Sequence, residues 1–128
     1  HCVQGKHGAD FHPELKVDQL HMIFKKGLNP EVDSYSGFFD NNRHHPTGLA
    51  DWLQKKNISQ LYICGLATDY CVKYTALDAV SLGFKTWLIE DACRGVDLQA
   101  GDSARAIQEM RNAGVSIISS RELQVSLS

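Results

Sequence analysis

The sequence predicts an α/β fold built on an open parallel sheet, and three observations predict it. Apolar runs of strand length alternate with segments of helical periodicity, glycines stand where the helical segments must stop, and the connections are short. Strands joined through intervening helices run parallel, linked by right-handed crossovers.

The elements follow in order. Residues 20–25, LHMIFK, read as a short strand closed by Gly27, and DSYSGFFDNNRHHPTG (33–48), with its glycines and asparagines set between aromatics, reads as a long surface loop. Thr47 is placed to cap a helix in which Leu49, Trp52 and Leu53 recur at helical spacing. Residues 61–64, LYIC, form a continuous apolar run, expected to be a strand buried on both faces. In the next helix Val72, Ala76, Ala79 and Val80 make an apolar stripe, and Gly83 ends it. KTWLIEDAC (85–93) is a strand. SARAIQEMRNAG (103–114) is a helix with Ile107 and Met110 inward and Gly114 as its stop, and VSIIS (115–119) is a last strand.

The bulk numbers bound the function. At 128 residues with 43% hydrophobic content, the chain has the size and composition of one packed domain. A net charge of -2 supplies no basic patch, which argues against nucleic acid as a partner. No apolar run approaches the roughly 20 residues of a membrane span. Four cysteines without a C-x-x-C pair point to a reducing, cytoplasmic setting. The chain opens on His1-Cys2-Val3 with no initiator methionine, as though cut from something longer.

In open α/β sheets the ligand site lies beyond the carboxyl ends of the strands. Cys71 falls there, in the opening turn of a helix just past a buried strand, where the positive end of the helix dipole favours a thiolate. Free cysteine is also a common core residue, so packing and nucleophile both stand as readings of this residue alone. Thr68 is expected to cap the helix, and Asp69 adds a carboxylate in its first turn. Lys26 is the candidate cation for the thiol, while alternation along a strand would point Lys25 to the opposite side. The six histidines make no compact ligand motif, Cys64 and Cys93 read as core or near-core thiols, and Trp52 and Trp87 read as packing residues.

Taken together, HCVQGKHGADFHPEL, KKGLNPEVDSYSGFFDNN, TGLADWL, YICGLATDYCVKYTALDA and IEDACRGV resemble, in this order and spacing, the nicotinamidases (pyrazinamidases) of the isochorismatase-like cysteine hydrolases. The resemblance covers nearly the whole chain. It implies a three-layer fold around a six-stranded parallel sheet of order 3-2-1-4-5-6, of which this chain would supply the third to sixth strands. The chain is therefore expected to be the C-terminal part (1–128) of a single isochorismatase-like domain, partnered by a missing N-terminal segment or chain. The family's triad aspartate and most of its metal ligands lie in motifs these residues do not contain.

Carried over by motif, the resemblance implies that Cys71 is the nucleophile, Lys26 the triad lysine and His1 a metal ligand. It implies a cis Leu66–Ala67 peptide, an oxyanion hole made by the N–H groups of Ala67 and Cys71, and a pyridine pocket lined by Tyr35, Leu66 and Ala67. The implied reaction is hydrolysis of nicotinamide to nicotinate and ammonia in NAD salvage, through a cysteine thioester, with a divalent metal (zinc, iron or manganese) at the ring nitrogen. A homo-oligomer is compatible with it. Two rivals stand beside it: an amidase of the same superfamily acting on a carbamoyl or ureido substrate without metal, and an inactive polypeptide that needs its N-terminal half.

Overall fold

The computed structural model describes the backbone of residues 2–127 and the side chains of residues 2–125. His1, the expected metal ligand, lies outside the described residues. After two short 3-10 turns, His7–Ala9 and Val17–Gln19, the regular elements are α1 (Leu49–Lys55), β1 (Gln60–Leu66), a π-helical turn (Thr68–Val72) running into α2 (Lys73–Ser81), β2 (Lys85–Arg94), α3 (Asp102–Ala113), β3 (Ser116–Ile118) and α4 (Ser120–Leu127). Among the described residues, no helix is long and apolar enough to cross a membrane.

The three strands form one parallel sheet in the order β1-β2-β3, as the alternation of strands and helices predicts. The helix stops are also where the glycines put them. Gly83 (φ 93°) and Gly114 (φ 108°) adopt the left-handed conformation, and the next N–H, of Phe84 or Val115, donates back to the carbonyl of Ala79 or Met110 at 3.0 Å. Asn57 closes α1 in the same way, with φ 58° and the Ile58 N–H on the Leu53 carbonyl.

Register places Ile63, Leu88 and Ile117 side by side on one face of the sheet. That face packs against Val72 and Ala76 from the helix carrying Cys71, and against Ala106 and Met110 from α3. A second cluster joins Phe38, from the long loop, to Leu53, Ala79 and Phe84, with the Phe38 and Phe84 rings stacked 6.0 Å apart. Thus the loop 33–48 is irregular but is anchored in the core at Phe38.

Three expectations need correction. Residues 20–25 do not form a strand. Among the described residues nothing offers them a ladder of hydrogen-bond partners, and Met22 and Ile23 are exposed. Nor is β1 buried on both faces: among the described residues it pairs with β2 alone, at the edge of the sheet, and burial alternates along it, with Tyr62, Cys64 and Leu66 outward. Cys64 is therefore an exposed thiol rather than a core one, whereas Cys93 is buried as expected.

The pairing of β1 with β2 slips between Ile63 and Gly65, where Ile63 faces Leu88 but Gly65 faces Cys93. The extra residues of β2 bulge from the ladder. Asp91 sits in the bulge, and its carboxylate accepts the Ser120 N–H (2.7 Å) and hydroxyl (2.6 Å) at the start of α4. These hydrogen bonds hold the Asp91 carboxyl below its ordinary range.

Leu88, fully buried at the centre of the sheet, tests the packing. Leu88→Ala should cost about 2–5 kcal/mol, seen as a lower denaturation midpoint with an unchanged denaturant slope.

Candidate active site

Parallel strands joined by crossovers end at one edge of the sheet, so the chain leaving β1 and the chain leaving β2 meet there. The Leu66–Ala67 peptide at the end of β1 is cis. The backbone then winds into the wide turn Thr68–Val72, closed by the Val72 N–H on the Ala67 carbonyl at 3.0 Å. Ala67, not Thr68, is the capping residue, and Thr68 is buried as the first residue inside the turn. Cys71 rides on this turn, half-buried.

Asp69 does something its place in the sequence does not announce. It is buried, and its two oxygens accept the N–H groups of Val96 (2.9 Å) and Asp97 (2.8 Å), in the segment linking β2 to α3. Burial pushes its carboxyl up, but these hydrogen bonds outweigh it and hold the group below its ordinary value. Asp97 (φ 51°) in turn accepts the N–H and hydroxyl of Ser103 at 2.8 and 2.9 Å. Gly95 leaves room for this: a Cβ there would lie 1.7 Å from the Ser103 hydroxyl oxygen.

The second segment of the site comes from the loops before α1. Lys26 directs its Nζ to the Cys71 Sγ at 3.5 Å and donates to the Ser34 carbonyl at 2.6 Å. The pair proposed from sequence is thus brought together across 45 positions. The alternation expected to turn Lys25 away from the site requires residues 20–25 to be a strand. Without a strand there is no alternation, and both lysines line a cleft of about 400 Å³ with Ser34, Asp40, His45 and Thr47. In that cleft His45 Nδ1 lies 2.7 Å from the Asp40 carboxylate, which also accepts the His44 N–H. Burial raises the Asp40 carboxyl, but these bonds outweigh it and hold it below its ordinary range.

Tyr35 stands among aromatic neighbours. Its ring lies stacked on Tyr74 (centroids 5.5 Å) and tilted against Tyr70 (5.4 Å). The Asp33 carboxylate and burial push its phenol above the ordinary value, with smaller contributions from Tyr70, Tyr74 and Cys71. Leu66, expected beside the ring of a substrate, is 73% exposed and turned outward from β1. The remaining thiols are poorer candidates for nucleophile. Burial pushes the Cys93 thiol up, and Cys2 and Cys64 are exposed, whereas the Lys26 ammonium stands against Cys71. Among the described residues no group of three or more histidine, cysteine or carboxylate side chains could hold a metal ion.

A thiol beside an ammonium in the opening turn of a helix is suited to nucleophilic attack on a carbonyl carbon. The isochorismatase domain model matches residues 1–122. The chain belongs to the isochorismatase domain family. It is 53% identical over 117 residues to the nicotinamidase of Escherichia coli, covering 91% of this chain and 55% of that protein. Its fold superposes on L. infantum PnC1, solved in complex with nicotinate, with a TM-score of 0.89 at 36% identity, covering 94% of this chain and 60% of that one. On the pyrazinamidase of Pyrococcus horikoshii, solved in complex with zinc, the TM-score is 0.76 at 38% identity, covering 93% and 61%. This isochorismatase-family chain thus spans a little over half the length of the relatives it matches.

The Asp69 bonds have a measurable consequence. Because its folded-state value is depressed, they stabilise fully above the unfolded carboxyl value of about 3.9, and the contribution is lost as pH falls through the folded value. Asp69→Asn should therefore lower the thermal midpoint at pH 7, and its deficit against the parent should shrink steadily as both are titrated into strong acid. A deficit independent of pH would show that ionisation of Asp69 is not what holds the loop.

Proposed function

We propose that the protein containing this chain is a nicotinamidase, hydrolysing nicotinamide to nicotinate and ammonia through a thioester on Cys71. The observation that carries the reading is the approach of the Lys26 ammonium to the Cys71 sulfur, 3.5 Å apart. The likeness to the Escherichia coli nicotinamidase and to a fold solved with nicotinate supports the choice of substrate.

In this reading Lys26 stabilises the thiolate of Cys71, and the Ser34 carbonyl keeps the ammonium in place. The sulfur attacks the carboxamide carbon, and the negative charge developing on its oxygen is received by the N–H groups of Ala67 and Cys71. Tyr35 and Ala67 border the pyridine ring, with Tyr35 held in register by Tyr70 and Tyr74. Collapse of the intermediate expels ammonia and leaves an acyl thioester, which water cleaves to nicotinate. The resemblance assigns the proton transfers to an aspartate that is not among these 128 residues.

A divalent metal belongs to the proposal through the zinc of the Pyrococcus horikoshii pyrazinamidase, with His1 as one ligand. The described side chains make no donor set for it, so no step above runs through a metal.

Two tests apply to the complete protein. Cys71→Ser should abolish ammonia release from nicotinamide while leaving the fold intact by circular dichroism, and in the parent Cys71 should be alkylated by iodoacetamide at neutral pH before Cys2, Cys64 or Cys93. Faster labelling of the exposed Cys64 would remove the assignment of the nucleophile. Separately, Lys26→Ala should lower kcat by about 10²-fold or more, and Lys25→Ala by less than about threefold, because only Lys26 reaches the sulfur. Equal losses would mean the cleft's charge as a whole matters, not one contact.

A further inference from the structure

We propose that Thr75 is a positioning residue that sets the spacing between Lys26 and Cys71. Its hydroxyl donates to the Cys71 carbonyl at 2.6 Å and accepts the Gly37 N–H at 2.8 Å. One hydroxyl thus uses its proton on the nucleophile's own peptide and a lone pair on a loop 38 residues away. The back-bond to the carbonyl four residues earlier is a common habit of helical threonine. The bond from Gly37 is not, and it makes Thr75 a bridge.

What it bridges is specific. Gly37 is held on its other side too, since its carbonyl accepts the Thr47 hydroxyl at 2.6 Å, and Thr47 takes the Leu49 N–H at the start of α1. Three residues before Gly37, the Ser34 carbonyl accepts Lys26 Nζ, and between them Tyr35 lies against Tyr70 and Tyr74. Phe38, the next residue, is buried against Phe84, so the loop cannot slide along its own axis without leaving the core. Gly37 and Thr75 are direct neighbours: a Cβ on Gly37 would stand in ordinary contact with the Thr75 methyl, at 3.5 Å. The route from the Cys71 carbonyl through Thr75 and Gly37 to Ser34 and Lys26 therefore closes a ring of contacts around the 3.5 Å approach of ammonium and sulfur. Breaking the ring at Thr75 frees the loop carrying the acceptor of Lys26 from the turn carrying the thiol.

The proposal rests on the reading of Cys71 and Lys26 as the reacting pair, and its test separates the two. In the complete protein, Thr75→Val keeps the shape and removes the hydroxyl. It should slow iodoacetamide alkylation of Cys71 at pH 7 about fivefold, while at pH 10, where the thiol ionises without help, variant and parent should react alike. kcat for nicotinamide should fall about tenfold with a smaller change in KM, and Thr75→Ser, which restores the hydroxyl, should recover both within about threefold. A merely structural role would lower the thermal midpoint and leave the alkylation ratio between pH 7 and pH 10 untouched, and that result overturns the proposal. If Thr75→Val does not fold, Thr47→Val loosens the same Gly37 peptide from its carbonyl side and should give the same selective loss at pH 7; an unchanged ratio there is equally fatal. Should the parent release no ammonia from nicotinamide, the substrate assignment fails, and the alkylation comparison still decides the role of Thr75.

Discussion

Parallel pairing is the constraint on which the rest depends. Two parallel neighbours cannot be joined by a tight turn, so the chain must return through a helix to the starting edge before the next strand begins. Every strand then ends at the same edge, and every β-to-α connection is gathered there. Here that edge collects the cis Leu66–Ala67 peptide, the turn bearing Cys71 and the Val96–Asp97 segment that follows β2. The loop anchored by Phe38 adds Ser34 and Tyr35 to the same place, and Lys26 follows by its bond to Ser34. A site assembled in this way owes its geometry to the sheet's topology, while its chemistry comes from residues that regular structure leaves free.

Holding such a site together falls to polar side chains acting on backbone groups. Four of them do comparable work: Asp69 on Val96 and Asp97, Thr75 on Gly37 and Cys71, Thr47 on Gly37 and Leu49, and Asp91 on Ser120. Irregular segments cannot satisfy their N–H and C=O groups in a ladder, so a buried loop needs such partners. Every buried side-chain nitrogen or oxygen among the described residues has a partner as well. The loops around Cys71 are thus ordered by specific short bonds, each of which ties two segments distant in sequence.

This explains what could be read from the sequence and what could not. The parallel sheet, the stripe of Val72, Ala76 and Ala79 and the stops at Gly83 and Gly114 are local signals, and all are found in the fold. Cys71 was legible as chemistry by its position past a strand end and by motif, Lys26 by motif, and their meeting at 3.5 Å joins them. Residues 20–25 misled because strand propensity is not a strand: the run has the composition, but no neighbour in the described residues completes its hydrogen bonds. β1 misled for the same reason in reverse, since an apolar run says nothing about which faces are covered. The links through Thr75, Asp69 and Asp91 had no signature at all. Each is a short polar side chain whose partner lies between 27 and 38 residues away, and nothing in local spacing encodes that distance.

Asp69 also decides a question of mechanism that its position raises. It is the carboxylate nearest to Cys71 in sequence, two residues before it, and proximity alone would make it the acceptor of the thiol's proton. Its geometry says otherwise. One oxygen is taken by the Val96 N–H and the other by the Asp97 N–H, on the side of the segment leaving β2, and these bonds stabilise its charge and weaken it as a base. A group committed to holding a loop, with its basicity lowered by that commitment, is poorly matched to taking a proton from a thiol. The motif's aspartate therefore ties the segment leaving β2 to the turn on which the cysteine sits, and the charge that meets the sulfur is the Lys26 ammonium.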